Sequence, residues 1–241
     1  MMKILHWYHD IMNLYGEYAN VSAMERILIK SGEEVVVDRL SFGEQAQLSD
    51  YDFIYVGSGT EKNLKYVLKD MLPYREAIRA YIASGKPLLM TGNSFEMLGK
   101  SFTDGSGKEF ETLGLYDYTT AEVSGVRQTA DIICKTDFLD QPLVGFINKS
   151  DDVFGITNPL FQIEFGIGDR ETCTTEGVHV ANFFGTHLIG PILMKNPHFL
   201  TYLAALILGR EPETAHLGYE RKGYEVTLKK LRERAQSSTQ R

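Results

Sequence analysis

The chain has 241 residues, 43% of them hydrophobic, and a formal net charge of -7 from 25 Lys and Arg against 32 Asp and Glu. That length suits one large domain, or one domain with an appendage. The acidic balance argues against a nucleic-acid binder, which carries a basic stripe, and no apolar run reaches membrane-spanning length.

In chain order, the N-terminus enters a strand-like run at Lys3–Tyr8 and lacks a signal-peptide cleavage pattern. The two cysteines, Cys134 and Cys173, are too few and too far apart for a disulfide framework or a zinc cluster. A cytoplasmic protein with reduced thiols is the expectation. His6 and His9 have metal-ligand spacing, but no third ligand presents itself, so neither a metal nor a cofactor is implied.

A turn at 13–20 leads into a helix whose apolar stripe is Val21, Met24, Ile27 and Leu28, with Gly32 as a stop signal. Strands are expected at Glu34–Arg39 and Asp52–Val56, the second ending in Gly57-Ser58-Gly59, and a helix at Leu68–Ala83. Leu88, Leu89 and Met90 form a continuous apolar run, as in a central parallel strand covered on both faces. Thr91, Gly92, Asn93 and Ser94 are turn formers, and Phe95, Met97 and Leu98 begin a helical face. Strand, tight turn and helix make the geometry of a nucleophile elbow, yet its apex here is Gly92. The alternation of strands and helices implies an α/β fold with a parallel sheet and right-handed crossovers. Ligands of such sheets bind beyond the carboxyl ends of the strands, where the Gly57–Gly59 and Gly92 turns both lie.

From Thr103 onward the texture is β-rich. Extended runs are expected at Leu113–Tyr118, Gln128–Cys134, Leu143–Asn148, Leu160–Gly166 and Val178–Phe184, giving antiparallel additions to the sheet. Gly185–Pro191 reads as a turn-rich return, and Asn196–Leu208 as a helix with Pro197 in its first turn. The main domain is expected at 1–208. The remainder, 209–241, is a charged tail with one amphipathic helix at Tyr224–Arg234 and a disordered end at 236–241.

Three segments carry a pattern: Asn13-Leu-Tyr-Gly-Glu-Tyr-Ala-Asn20, Gly92-Asn-Ser-Phe-Glu-Met-Leu-Gly99 and Gly185-Thr-His-Leu-Ile-Gly-Pro191. Their order and spacing resemble the class I glutamine amidotransferases of the cobyric acid synthase (CobB/CobQ) type, and most of all the amidotransferase subunits (GatD-like) of lipid II isoglutaminyl synthases. The resemblance implies a three-layer α/β sandwich of flavodoxin-like type with a mostly parallel central sheet. In that family the elbow reads Cys-Gly-Gly-Tyr-Gln-x-Leu-Gly, so Gly92 occupies the nucleophile position and Glu96 the place of Gln. The other motif reads Gly-Thr-Tyr-Leu-His-Gly-Pro, so Ile189 replaces the general-base histidine, and His187 departs from it as well. The resemblance places Gly92 and Ile189 face to face across one cleft. It gives Arg127 the role of binding a glutamine α-carboxylate, and it places the 13–20 segment near the site.

Two readings follow. In the first, the chain is a non-catalytic subunit, because glycine offers no nucleophile and isoleucine moves no proton. It would engage a Mur-ligase-like synthetase partner, or bind a small amide or carboxylate such as glutamine through Arg127, Gly57, Ser58, Gly59, Asn93 and Ser94. In the second, an active amidotransferase delivers ammonia to that partner with relocated groups, Ser94 or Thr91 as nucleophile and His187 as base.

Overall fold

The computed structural model describes residues 1–123 and 127–239. The strands, in order, are β1 (Met2–Trp7), β2 (Val35–Leu40), β3 (Phe53–Val56), β4 (Leu88–Thr91), β5 (Ser101–Thr103), β6 (Glu109–Glu111) and β7 (Thr119–Glu122). They continue as β8 (Gln128–Lys135), β9 (Leu143–Lys149), β10 (Asp151–Phe154), β11 (Pro159–Phe165), β12 (Thr175–Val180) and β13 (Phe183–Thr186). The helices are α1 (Tyr18–Lys30), α2 (Glu61–Met71), α3 (Arg75–Ala83), α4 (Ile192–Lys195), α5 (Pro197–Leu208) and α6 (Gly218–Thr239).

One large sheet has the order β2-β1-β3-β4-β13-β12-β11-β8-β9. From β2 through β13 every neighbour pair is parallel, and from β13 through β9 every pair is antiparallel. This is the α/β fold that the alternation of strands and helices implies and the sandwich that the family resemblance implies, with the antiparallel additions in the second half. A smaller sheet, β10-β7-β5-β6, lies apart from it.

The period-two alternation of strand side chains feeds two cores. On one face, Leu5, Trp7, Ile54, Val56, Leu88 and Met90 meet the apolar stripes of α2 and α3. On the other, Ile4, Phe53, Tyr55, Leu89 and Phe184 meet α1 and α5. Removal of this apolar surface from water is the main stabilising term, worth roughly 25 cal/mol per Å².

Several elements differ from the sequence expectation, each for a local reason. The expected Leu68–Ala83 helix begins earlier, at Glu61, where the Thr60 hydroxyl accepts from Asn63 N–H at 3.1 Å. It breaks at Leu72–Tyr74, where Pro73 lacks the donor that a continuous helix needs. The turn after β4 continues as a 3-10 helix over Gly92–Leu98 rather than an α-helix. Leu113–Tyr118 is not a strand: its N–H groups at 113–116 bond back to Met97, Gly99 and Leu98, and the strand is β7 instead. Val178–Phe184 is two strands, because the chain reverses at Ala181, whose φ is 51°. Gly185 and Thr186 belong to β13 rather than to the turn. Helix α5 ends as expected at Gly209, whose φ of 65° is a left-handed cap.

Residues 236–239, expected to be disordered, continue α6, while Gln240 and Arg241 lie outside the described residues. Tertiary contact explains the difference. Tyr224 and Leu231 bury against Ile133 and Val144 of the antiparallel strands, and Tyr224 donates its hydroxyl to the Pro142 carbonyl at 2.6 Å. Truncation of Leu231 to alanine is therefore expected to cost about 2–3 kcal/mol. Urea denaturation measures this, and an unchanged midpoint would show that α6 adds nothing to the fold.

Candidate functional site

The register of the central strands sets the site. β4 and β13 are parallel with Thr91 opposite Thr186. The residues that leave those strands at their carboxyl ends, Gly92 and His187, therefore emerge side by side. β3 is the other neighbour of β4, so Ser58 and Gly59 arrive at the same edge. A cleft there is lined by Ser58, Gly59, Gly92, Asn93, Arg127 and His187, with Asp151 and Glu61 among the other lining residues. Its cavity volume is about 10 Å³, close to the space of one water-sized sphere.

Gly92 has a φ of 63°, in the left-handed region where a side chain is strained. A Cβ built there would stand 2.4 Å from both Cβ and Oγ of Ser58. The apex of this turn is thus closed by a neighbour, and Gly92 presents no side chain there.

Ser58 is held in place by Glu17, a fully buried residue of the 13–20 turn. Glu17 Oε2 accepts from Ser58 N–H at 2.6 Å, and Oε1 accepts from the Thr91 hydroxyl at 2.7 Å. Burial pushes the Glu17 carboxyl up to about 7, against the lowering effect of those two hydrogen bonds. Asn93 joins the two turns: its Nδ2 donates to the Gly59 carbonyl at 3.0 Å, and its Oδ1 accepts from Gly59 N–H at 3.1 Å. Both bonds are lost in Asn93→Ala. That change is expected to lower stability by about 1–3 kcal/mol, the cost of backbone groups left unpaired; thermal denaturation tests it, and no shift would mean that water replaces both bonds.

The alternative nucleophiles are committed elsewhere. Ser94 is fully buried and donates its hydroxyl to the carbonyls of Val56 and Thr91. The Thr91 hydroxyl is buried between Glu17 and the Tyr55 hydroxyl, 2.7 Å away. Neither residue lines the cleft, and neither does Gly57, which packs against Met12 and Glu17. Ile189 is not among the residues that line the cleft. It is 2% exposed, its N–H bonds to the Phe146 carbonyl, and the cleft residue beside Gly92 is His187. The cause is register: His187 directly follows β13, and the backbone bridge to β9 captures the chain two residues later.

Arg127 stands at the rim. Its Nε donates to Asn148 Oδ1 at 2.6 Å and its Nη1 to Glu61 Oε1 at 3.1 Å. The Arg127 side chain is 47% exposed. Glu61 therefore already occupies part of the guanidinium that a carboxylate ligand would need.

Beneath the cleft lies a charged cluster that sequence reasoning missed, apart from His187 and Glu96. Two of the positions that depart from the family motifs meet here, with His187 Nε2 3.5 Å from Glu96 Oε1. His187 Nε2 is also 3.2 Å from Asp151 Oδ1, and Nδ1 is 3.2 Å from Glu176 Oε1. The ring packs edge-on against Phe95 at 4.7 Å. Burial pushes the imidazole pKa down, but Asp151, Glu176 and Glu96 outweigh it and hold it well above the ordinary value. Burial, with Asp151 alongside, raises Glu96 to about 8. Lys149 Nζ is bound by the carbonyls of Asp151 and Asp169. Glu17 comes from the turn before α1, Asp151 from β10 of the smaller sheet and Glu176 from β12 of the large one, so only the tertiary fold brings them near the cleft.

Solved structures share this architecture. A glutamine amidotransferase from Thermotoga maritima matches with a TM-score of 0.52 and 12% identity, over 93% of this chain and 92% of that one. The glutaminase domain of Trypanosoma brucei CTPS with bound acivicin matches with a TM-score of 0.53 and 10% identity, over 88% and 95%. At such identities the likeness shows the fold alone.

Sequence relatives are nearer. The GatD subunit of the glutamine-hydrolyzing lipid II isoglutaminyl synthase of Streptococcus pneumoniae is 29% identical over 212 residues, 87% of this chain and 82% of that protein. The corresponding Staphylococcus aureus subunit is 29% identical over 202 residues, 84% and 82%. The family model of the CobB/CobQ-like glutamine amidotransferase domain matches residues 3–197. The chain belongs to the CobB/CobQ-like glutamine amidotransferase family.

Proposed function

We propose that this chain is a glutamine amidotransferase-fold subunit without glutaminase activity, acting as the binding or partner subunit of a Mur-ligase-like synthetase in an assembly of the lipid II isoglutaminyl synthase type. Membership of a synthase assembly is supported by the names of the relatives in Streptococcus pneumoniae and Staphylococcus aureus, and the Mur-ligase-like character of the partner is what the family resemblance implies. The loss of activity rests on Gly92, which has no side chain and whose missing Cβ would overlap Ser58. Amide hydrolysis through an acyl-enzyme needs a nucleophile and a base acting as a unit, and removal of one member costs on the order of 10⁶ in turnover by the serine-protease precedent.

Co-expression with the Mur-ligase-like synthetase of the same organism tests the partner. A one-to-one complex on gel filtration is the expected result, and separate elution overturns it. Treatment with an electrophilic glutamine analogue tests the chemistry. Intact-mass spectrometry is expected to show no adduct, and an adduct on any residue of the cleft contradicts the reading.

The rim of the cleft, where the Arg127 side chain is 47% exposed, is proposed to hold a small amide or carboxylate such as glutamine with Arg127 as its anchor, because the cavity itself has the space of only one water-sized sphere. Calorimetry is expected to show weak binding that Arg127→Ala lowers by about tenfold, the value of one charge-assisted hydrogen bond. Glu61→Gln frees the guanidinium and is expected to strengthen binding. Indifference to both changes removes Arg127 from the site.

A further inference from the structure

The cluster under the cleft holds lone pairs that have ion-pair neighbours but, among the described residues, no well-formed hydrogen bond. Both carboxylate oxygens of Glu96, Oδ1 of Asp151 and Nε2 of His187 are buried, and none has a hydrogen bond of acceptable geometry. All three residues are at most 4% exposed, and one donor atom from each lies within 4.8 Å of the others. Buried carboxylates without hydrogen bonds are costly unless a cation compensates them. A protonated His187 offsets part of that charge, 3.2 Å from Asp151 and 3.5 Å from Glu96, and a bound cation would take the place of its Nε2 proton; Lys149 Nζ is spent on two backbone carbonyls and lies 3.6 Å from Asp152 Oδ1.

From this geometry we propose that Glu96, Asp151 and His187 form a binding site for a divalent transition-metal ion, with a mixed nitrogen and oxygen ligand set. The spacing fits such an ion. Donors about 2.1 Å from a shared metal stand about 3.0 Å apart at right angles and about 3.4 Å apart at the tetrahedral angle. The observed separations from His187 Nε2 are 3.2 Å to Asp151 and 3.5 Å to Glu96.

The imidazole is oriented for the task. Nδ1 faces Glu176 Oε1 at 3.2 Å, so a proton held there leaves the Nε2 lone pair directed at the two carboxylates. Glu176 is itself fixed, because it accepts from the Thr186 hydroxyl and from His187 N–H, both at 2.6 Å. That full set of partners separates it from the proposed ligands: Glu176 is a positioning residue, whereas Glu96 and Asp151 have open lone pairs. Asp151 and His187 also line the cleft, which gives an ion a way in and leaves a coordination position facing the cavity. One imidazole with two carboxylates suits zinc, manganese or ferrous iron better than magnesium, which keeps most of its water. The site is independent of whether the chain hydrolyses glutamine.

Metal analysis of the full chain purified without chelator tests the site, followed by cobalt titration of the chelator-treated protein read by visible absorption. About one zinc, manganese or iron ion per chain, or saturable one-to-one cobalt binding, is expected. Glu96→Gln and Asp151→Asn are each expected to weaken cobalt binding at least about tenfold, and Glu176→Gln by about 10–100-fold through the imidazole. Circular dichroism confirms that each variant is folded, and the shape-conserving Glu96→Gln keeps the test valid if Asp151→Asn is not. Absence of metal from the purified chain together with no saturable cobalt binding overturns the proposal. So does binding that is unchanged in Glu96→Gln, which would place the ion elsewhere, for instance at His6 and His9.

Discussion

Gly92→Cys is expected to destabilise the fold by roughly 2–6 kcal/mol rather than to create an enzyme. Two costs combine. A non-glycine residue at the left-handed φ of 63° adds about 1–3 kcal/mol of backbone strain. The new Cβ, 2.4 Å from the Ser58 side chain, adds about 1–3 kcal/mol of overpacking. The two terms can be separated, because the second depends on Ser58 and the first does not. Ser58→Gly removes the Cβ and Oγ that obstruct the apex while keeping the N–H that Glu17 accepts. In a double-mutant cycle, Ser58→Gly is therefore expected to recover the overpacking part and leave the strain part. Urea denaturation of the four proteins reads both. If Gly92→Cys costs less than about 0.5 kcal/mol, the level of an ordinary surface change, the elbow can relax around a side chain and the packing argument fails.

The second large effect is a pH dependence assigned to Glu17. Its folded-state pKa is raised from 4.5 to about 7 by burial. Between those values the native state holds a proton that the unfolded state has released, so stability falls as pH rises through that window. At about 1.4 kcal/mol per unit, the loss between about pH 4 and about pH 8 comes to roughly 3 kcal/mol. Glu17→Gln has no proton to release. Its amide can still accept from Ser58 N–H and donate to the Thr91 hydroxyl, which can in turn donate to the Tyr55 hydroxyl. Subtracting the two unfolding free energies cancels every other titrating group. The difference, wild type minus variant, is expected to decrease by roughly 3 kcal/mol from about pH 4 to about pH 8. A flat difference would mean that Glu17 titrates in the folded state at its ordinary value, its hydrogen bonds offsetting the effect of burial.

Much of the fold was legible because its signals are local. The Leu88–Met90 run, the turn formers after it and the alternation of strands and helices all sit within a few residues of one another. Gly92 could be placed at the elbow apex from the Leu98-Gly99 end of its motif alone. The site was legible only in part, since its composition depends on register between distant strands. The family resemblance sets Ile189 opposite Gly92, whereas the residue that the pairing of Thr186 with Thr91 carries into the lining of the cleft is His187. Asp151 and Glu176 gave no signal, because acidic residues are ordinarily solvated and only topology carries these two under the cleft. The hairpin at Ala181 was hidden for a related reason: the strands on either side are both apolar, and no glycine or proline marks the reversal. The end of α6 was misread because its own composition favours disorder, whereas its order comes from Tyr224 and Leu231 seated on the sheet.

The central claim is that the fold has been retained without its hydrolytic chemistry. Glutamate released from glutamine, measured for the purified chain alone and in complex with its Mur-ligase-like partner, tests it most directly. The account predicts release at the level of heat-denatured protein in both cases. Sustained turnover in either case, lost on Gly92→Cys or His187→Ala, would contradict it.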